Sequence, residues 1–187
     1  MMPPAWYLLV YIVLPAWLLA GFADYLCHRV QRIEHASGMK EPLLHWLMLA
    51  EVGVPLLAAI FLKIDAALIG LMIACLIAHE ITTHLDLRLA VRTREVPAYE
   101  QQVHSFLEIL PIAALLLICV LHWQQAVALI GIGDVRADFS IHLAPLPAPG
   151  QLAALFGGLF VFGFVPYCEE MLRGLRIHRA NSTVRSG

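Results

Sequence analysis

Apolar residues in this chain neither alternate nor keep to one face of a helix; they run almost unbroken. WYLLVYIVLPAWLLAGF is the first of five such runs, separated by short polar segments. A transmembrane helix needs about 20 predominantly apolar residues. The pattern therefore predicts an all-α, integral membrane helical bundle in one domain, with spans near residues 5–22, 43–62, 66–87, 106–123 and 152–167. Trp6 and Tyr7 are placed as interfacial aromatics. Pro15 is tolerable where neighbouring helices re-satisfy the freed carbonyl. Pro97 opens a helix at its favoured first turn and leads into the fourth span.

The connections follow the same logic. AVALIGIG is too short to span, so Gln124 to Gly150 is expected to hold an interfacial helix and then an irregular, proline-rich stretch. Ala153 with Gly157, and Ala154 with Gly158, are small pairs four apart that permit close helix contact. The basic tail EEMLRGLRIHRANSTVRSG is expected to fray. MMPP carries no basic residue ahead of the first apolar run, so that run is read as a retained anchor.

Lys and Arg set the orientation. They are absent before the first span and present after it (Arg29, Arg32, Lys40). They are sparse after the second (Lys63), dense after the third (Arg88, Arg92, Arg94), sparse after the fourth (Arg136) and dense in the tail (Arg173, Arg176, Arg179, Arg185). The positive-inside rule puts the N-terminus outside and the C-terminus in the cytoplasm. The expected setting is a bacterial inner membrane, with the bilayer as the first partner.

Composition agrees. The 187 residues are 60% hydrophobic and only 14% charged, with a mean hydropathy of +0.77, whereas soluble domains are about a quarter charged. A net charge of −2 gives no footprint for nucleic acid. The four cysteines stand singly in apolar surroundings, with no CxxC pair, and read as packing residues rather than zinc ligands.

Chemistry concentrates on one side. Asp24, His28 and His35 follow the first span; His45 and Glu51 lie in the cytoplasmic half of the second. His79, Glu80, His84 and Asp86 close the third, Glu100, His104 and Glu108 open the fourth, and Glu169 and Glu170 close the fifth. Ionisable groups inside a span are costly and mark function. At about 100° per residue, Asp24, His28 and His35 share a stripe, as do Glu80 with His84 and Glu100 with His104 and Glu108. His79 and His84 diverge by about 140°, so they need not serve the same ion. Arg88, Arg92 and Arg94 read as positive-inside residues, and Glu169 and Glu170 as partners of Arg173. The predicted ligands are Asp24, His28, His35, His45, Glu51, His79, Glu80, His84, Glu100, His104 and Glu108. Imidazole and carboxylate without thiolate suit iron, manganese or zinc, and their number suits two metal ions between facing helices.

HExxxH at His79–His84 and ExxxH at Glu100–His104, both at cytoplasmic span ends, resemble the membrane-embedded histidine-rich diiron proteins, the desaturase, hydroxylase and alkane-monooxygenase group. No HH pair occurs here, and carboxylates are numerous. The resemblance implies O₂ activation at two irons, a lipid-like substrate and electrons from a separate donor protein. HExxxH is not the zinc-protease HExxH, whose histidines lie four apart. The competing readings are a proton or divalent-metal transporter using Glu51, Glu80 and Glu108, a b-type haem protein, and a small accessory subunit of a larger membrane complex.

Overall fold

A computed structural model describes residues 2–186; at 181 and 183–186 it describes the backbone alone, so Arg185's expected topological charge lies outside the described side chains. Among the described residues every regular element is helical, apart from one isolated bridge between Leu62 and Leu143. Five helices are long and apolar enough to cross a membrane: α1 (Pro4–Gln31), α3 (Lys40–Phe61), α4 (Ala66–Thr93), α5 (Ala98–Leu121) and α7 (Pro149–Ala180, its helical backbone continuing to Ser186). The short helices α2 (Ile33–Ala36) and α6 (Trp123–Leu129) lie between them.

The tail does not fray; it prolongs α7. The fifth helix thus runs past the end of its apolar stretch, which hydropathy alone had placed near Tyr167. A short helix, α6, stands where an interfacial helix is expected, followed by irregular chain to Pro149. Gln125 pins that chain, its Oε1 accepting from the backbone of Ala66 (3.2 Å) and Asp138 (2.9 Å).

Proline leaves a visible mark on two spans. Leu9–Val13 in α1 and Leu159–Phe164 in α7 are π-helical turns, and each lies just ahead of a proline, Pro15 or Pro166. A proline lacks the N–H and crowds the carbonyl four residues back, here Tyr11 and Phe162. A widened turn accommodates both. Helix α4 starts cleanly, because the Asp65 carboxylate caps it by accepting from the Leu68 amide at 3.2 Å.

α3 packs along α4, α1 along α5, and α7 closes the bundle against α1 and α3. Large apolar side chains such as Leu19, Ile81, Leu116 and Phe160 face outward. The interior holds instead an unusual share of polar groups, among them Asp24, His28, Glu41, His45, Asp86, Glu100 and Glu170. In a bilayer the apolar exterior is solvated by lipid, so the polar interior is what the bundle encloses.

The backbone approaches closely at Gly174 of α7. A Cβ there would stand 2.9 Å from Met39 Sδ and 3.4 Å from the Gly38 carbonyl. Gly174→Leu is expected to lower stability by about 1–3 kcal/mol through overpacking, read as a fall in the melting temperature of the detergent-solubilised protein. Unchanged melting would show that the α2–α3 turn does not seat on α7.

Candidate metal centre

Three helices turn the same local device inward, an acid one turn ahead of a histidine. α1 carries Asp24 and His28, α3 carries Glu41 and His45, and α5 carries Glu100 and His104. Residues four apart share a helix face, and here all three faces turn inward. α4 adds His79 and Asp86, and α7 adds Glu170.

His28 and His45 form the centre. Their rings lie parallel, 4.6 Å apart and within 5° of coplanar orientation. His28 Nδ1 is 3.2 Å from Glu170 Oε2, and His45 Nδ1 is 2.5 Å from Glu170 Oε1. Their other nitrogens face outward to different acids. His28 Nε2 stands 3.4 Å from Asp24 Oδ1 and 3.5 Å from Glu100 Oε1; His45 Nε2 stands 3.5 Å from Asp86 Oδ1. His104 Nε2 comes within 2.9 Å of Asp24 Oδ1 without the alignment of a hydrogen bond.

Two groups of side chains converge closely enough to hold an ion, Asp24 with His28 and His104, and His28 with His45 and Glu170. Asp24 Oδ1, His28 Nε2, His45 Nε2 and Asp86 Oδ1 are buried and have no hydrogen bond. Buried polar atoms that form no hydrogen bond are costly, and these meet only one another and the neighbouring Glu100 and His104, at 2.9–3.5 Å. Four of them, two imidazole nitrogens and two carboxylate oxygens, are the donor chemistry of iron, manganese or zinc.

Glu100 is held from behind. Arg94, at the end of α4, donates from Nη2 to Glu100 Oε1 (2.6 Å) and from Nη1 to Oε2 (3.0 Å). It also donates to Glu41 Oε2 (3.1 Å) and to Gln31 Oε1 (2.6 Å), while the Gln31 amide donates to Glu100. Burial alone would lower the Arg94 pKa; its bonds to Glu100 and Glu41 more than reverse this and hold it above the usual value. The guanidinium is therefore a permanent cation between two fully buried carboxylates.

The remaining candidates divide. Glu51 sits beside His79, with 3.8 Å between Oε2 and Nδ1, and accepts from Thr82 Oγ1 at 2.8 Å. Glu80 and Glu108 are half-buried and lie outside both converging groups. His35 and His84 are exposed. His84 follows from helix geometry, since His79 on the same helix is buried. His35 is a correction to the shared stripe: Arg32 adopts a left-handed conformation (φ 52°) that ends α1, so the periodicity linking Asp24, His28 and His35 stops before His35. Of the six histidines expected on this side, His28, His45, His79 and His104 turn inward.

Sequence reasoning missed the roles of Glu41, Asp86, Arg94 and Glu170. Arg94 read as a topological charge. Glu170 was paired with Arg173, but Glu169 takes that role, 2.9 Å away, while Arg173 also reaches Glu34 at 2.5 Å. The repeated acid–x–x–x–His spacing was the available signal for Glu41. It is not sufficient by itself, because Glu80 and His84 share it and face elsewhere.

A cavity of about 740 Å³ opens onto the cluster. Its walls come from α1, α3 and α7, including Trp17, Leu18, Val52, Leu56, Phe160 and Phe162. Asp24, His45, His79, Asp86 and His104 supply its polar end. The slot thus lies mainly between the first, second and fifth spans. The π-turn in α7 contributes Leu159 to Phe164 to this wall. No family model, curated protein or solved structure matches the chain, so the reading of this centre rests on its own geometry.

Proposed function

We propose that the chain is a membrane-embedded, metal-dependent oxidoreductase that acts on a lipid-like substrate at the cytoplasmic face, with two iron ions. The observation that carries this reading is the coincidence of clustered, buried imidazole and carboxylate atoms that form no hydrogen bond with the polar end of an apolar slot. The slot walls offer a hydrocarbon chain dispersion contacts and exclude water, but few polar groups to grip a headgroup. Chemistry at its end therefore falls on carbon. When bound, a pair of irons supplies O₂ activation, which unactivated C–H bonds require, with electrons from a separate donor protein.

The chain's own residues then have distinct tasks. His28, His104, Asp24 and Glu100 gather at one place and His45 with Asp86 at another. Arg94 and Gln31 hold Glu100. The Arg88, Arg92 and Arg94 cluster at the same helix ends supports a cytoplasmic site by the positive-inside rule. A transporter reading fits less well: beyond the polar end, the slot lining offers no further Asp, Glu, His, Lys or Arg as a relay.

The test is elemental analysis of detergent-purified protein beside His104→Ala, followed by mass spectrometry of acyl lipids incubated with iron-loaded protein, O₂ and a reductant. About two irons per chain, reduced in the variant, and oxidised lipid products are expected. Trace metal that is unchanged in the variant overturns the proposal.

A further inference from the structure

We infer that Glu170 is not a ligand but the positioning carboxylate of both ions, clamping His28 and His45 so that their outward nitrogens define two separate metal positions. The inference rests on the metal-centre reading above. An ionised carboxylate can only accept hydrogen bonds. Glu170 offers one oxygen to each ring, Oε2 to His28 Nδ1 and Oε1 to His45 Nδ1. Both Nδ1 atoms therefore carry a proton, and in the neutral rings that a metal ion requires both Nε2 atoms keep a free lone pair. Those two Nε2 atoms are the ones without a hydrogen bond. A carboxylate behind a metal-binding imidazole fixes its tautomer and orientation in this way.

The surroundings assign the two positions. His28 Nε2 meets Asp24 and Glu100, and His104 Nε2 reaches the same Asp24 oxygen. His45 Nε2 meets Asp86 Oδ1 at 3.5 Å, an oxygen that likewise forms no hydrogen bond. Asp24 and His104 from the first position, and His45 and Asp86 from the second, all line the slot. Ions held by these residues would border the slot where substrate enters. The parallel stacking of the rings follows from a single carboxylate gripping both by the same atom. The competing arrangement places one ion among His28, His45 and Glu170. It would consume the Nδ1 atoms and leave both Nε2 atoms and Asp86 unexplained.

Glu170→Gln separates the two arrangements. It keeps the shape but offers one accepting oxygen and one donating NH₂, so only one ring retains its Nδ1–H tautomer. Metal-free wild type, Glu170→Gln and Asp86→Asn would be titrated with Co²⁺ in detergent, recording stoichiometry and visible d–d absorption, with melting curves as a check on folding. Expected are about two ions in wild type and about one in each variant. The remaining ion's affinity should fall about 10–100-fold in Glu170→Gln but not in Asp86→Asn. The Asp86→Asn spectrum should be the component that titrates first or second in wild type, because a complete site is left standing. Two ions retained by folded Asp86→Asn overturn the assignment of Glu170 while leaving a metal centre in place. No Co²⁺ bound by folded wild type overturns both. An unfolded Glu170→Gln variant leaves Asp86→Asn to decide.

Discussion

Arg94→Met is expected to destabilise the protein by about 3–5 kcal/mol, the cost of removing one partner from a buried ion pair. Methionine keeps most of the side chain's length, so the loss is of charge rather than of packing. Glu41 and Glu100 are both fully buried, and Arg94 is the cation that faces both. Without it, two carboxylates share a dry pocket and one must take up a proton. The unfolding temperature in detergent should fall sharply, whereas Arg92→Met, at an exposed position, should stay within about 0.5 kcal/mol of wild type. Adding Glu41→Gln to Arg94→Met should recover part of the loss, since one buried charge then disappears with its partner. An Arg94→Met protein that melts like wild type would mean that the triad does not form.

Gly21→Leu is expected to abolish turnover of a long-chain substrate, by about 100-fold or more, without removing metal. Gly21 lines the slot one turn before Asp24, and a Cβ there meets nothing within 4 Å. A leucine can therefore enter the cavity without displacing the backbone, and helix propensity favours the change. Misplacing a reacting atom by about 1 Å can itself cost about 100-fold, and a leucine side chain intrudes further than that. The informative comparison is metal content against product formation. Retained metal with lost turnover places the substrate in the slot. Full turnover by Gly21→Leu would move the substrate elsewhere.

The helices were legible because the bilayer imposes a simple rule on sequence: about 20 apolar residues for each crossing. The candidate centre was legible only in part. Asp24, His28, His45 and His104 stood out as ionisable groups where such groups are costly. What sequence could not supply was direction. Glu80 and His84 have the same spacing as Glu100 and His104, yet the rotation of α4 about its axis turns His79 and Asp86 inward and His84 out. The left-handed residue at Arg32 likewise redirects His35 by ending a helix that polarity alone left running.

By itself, the sequence determined the number of helices long and apolar enough to span and the kind of donor atom available, because each depends on local composition. Tertiary structure decided which of those donors meet. Glu170 lies 142 residues from His28 and 125 from His45 in the chain, and Arg94 reaches back 53 residues to Glu41. Such partnerships follow from helix rotation and packing, which a uniformly apolar exterior does not encode: when every face of a span can meet lipid, only the polar groups that must be satisfied inside choose how the helices turn.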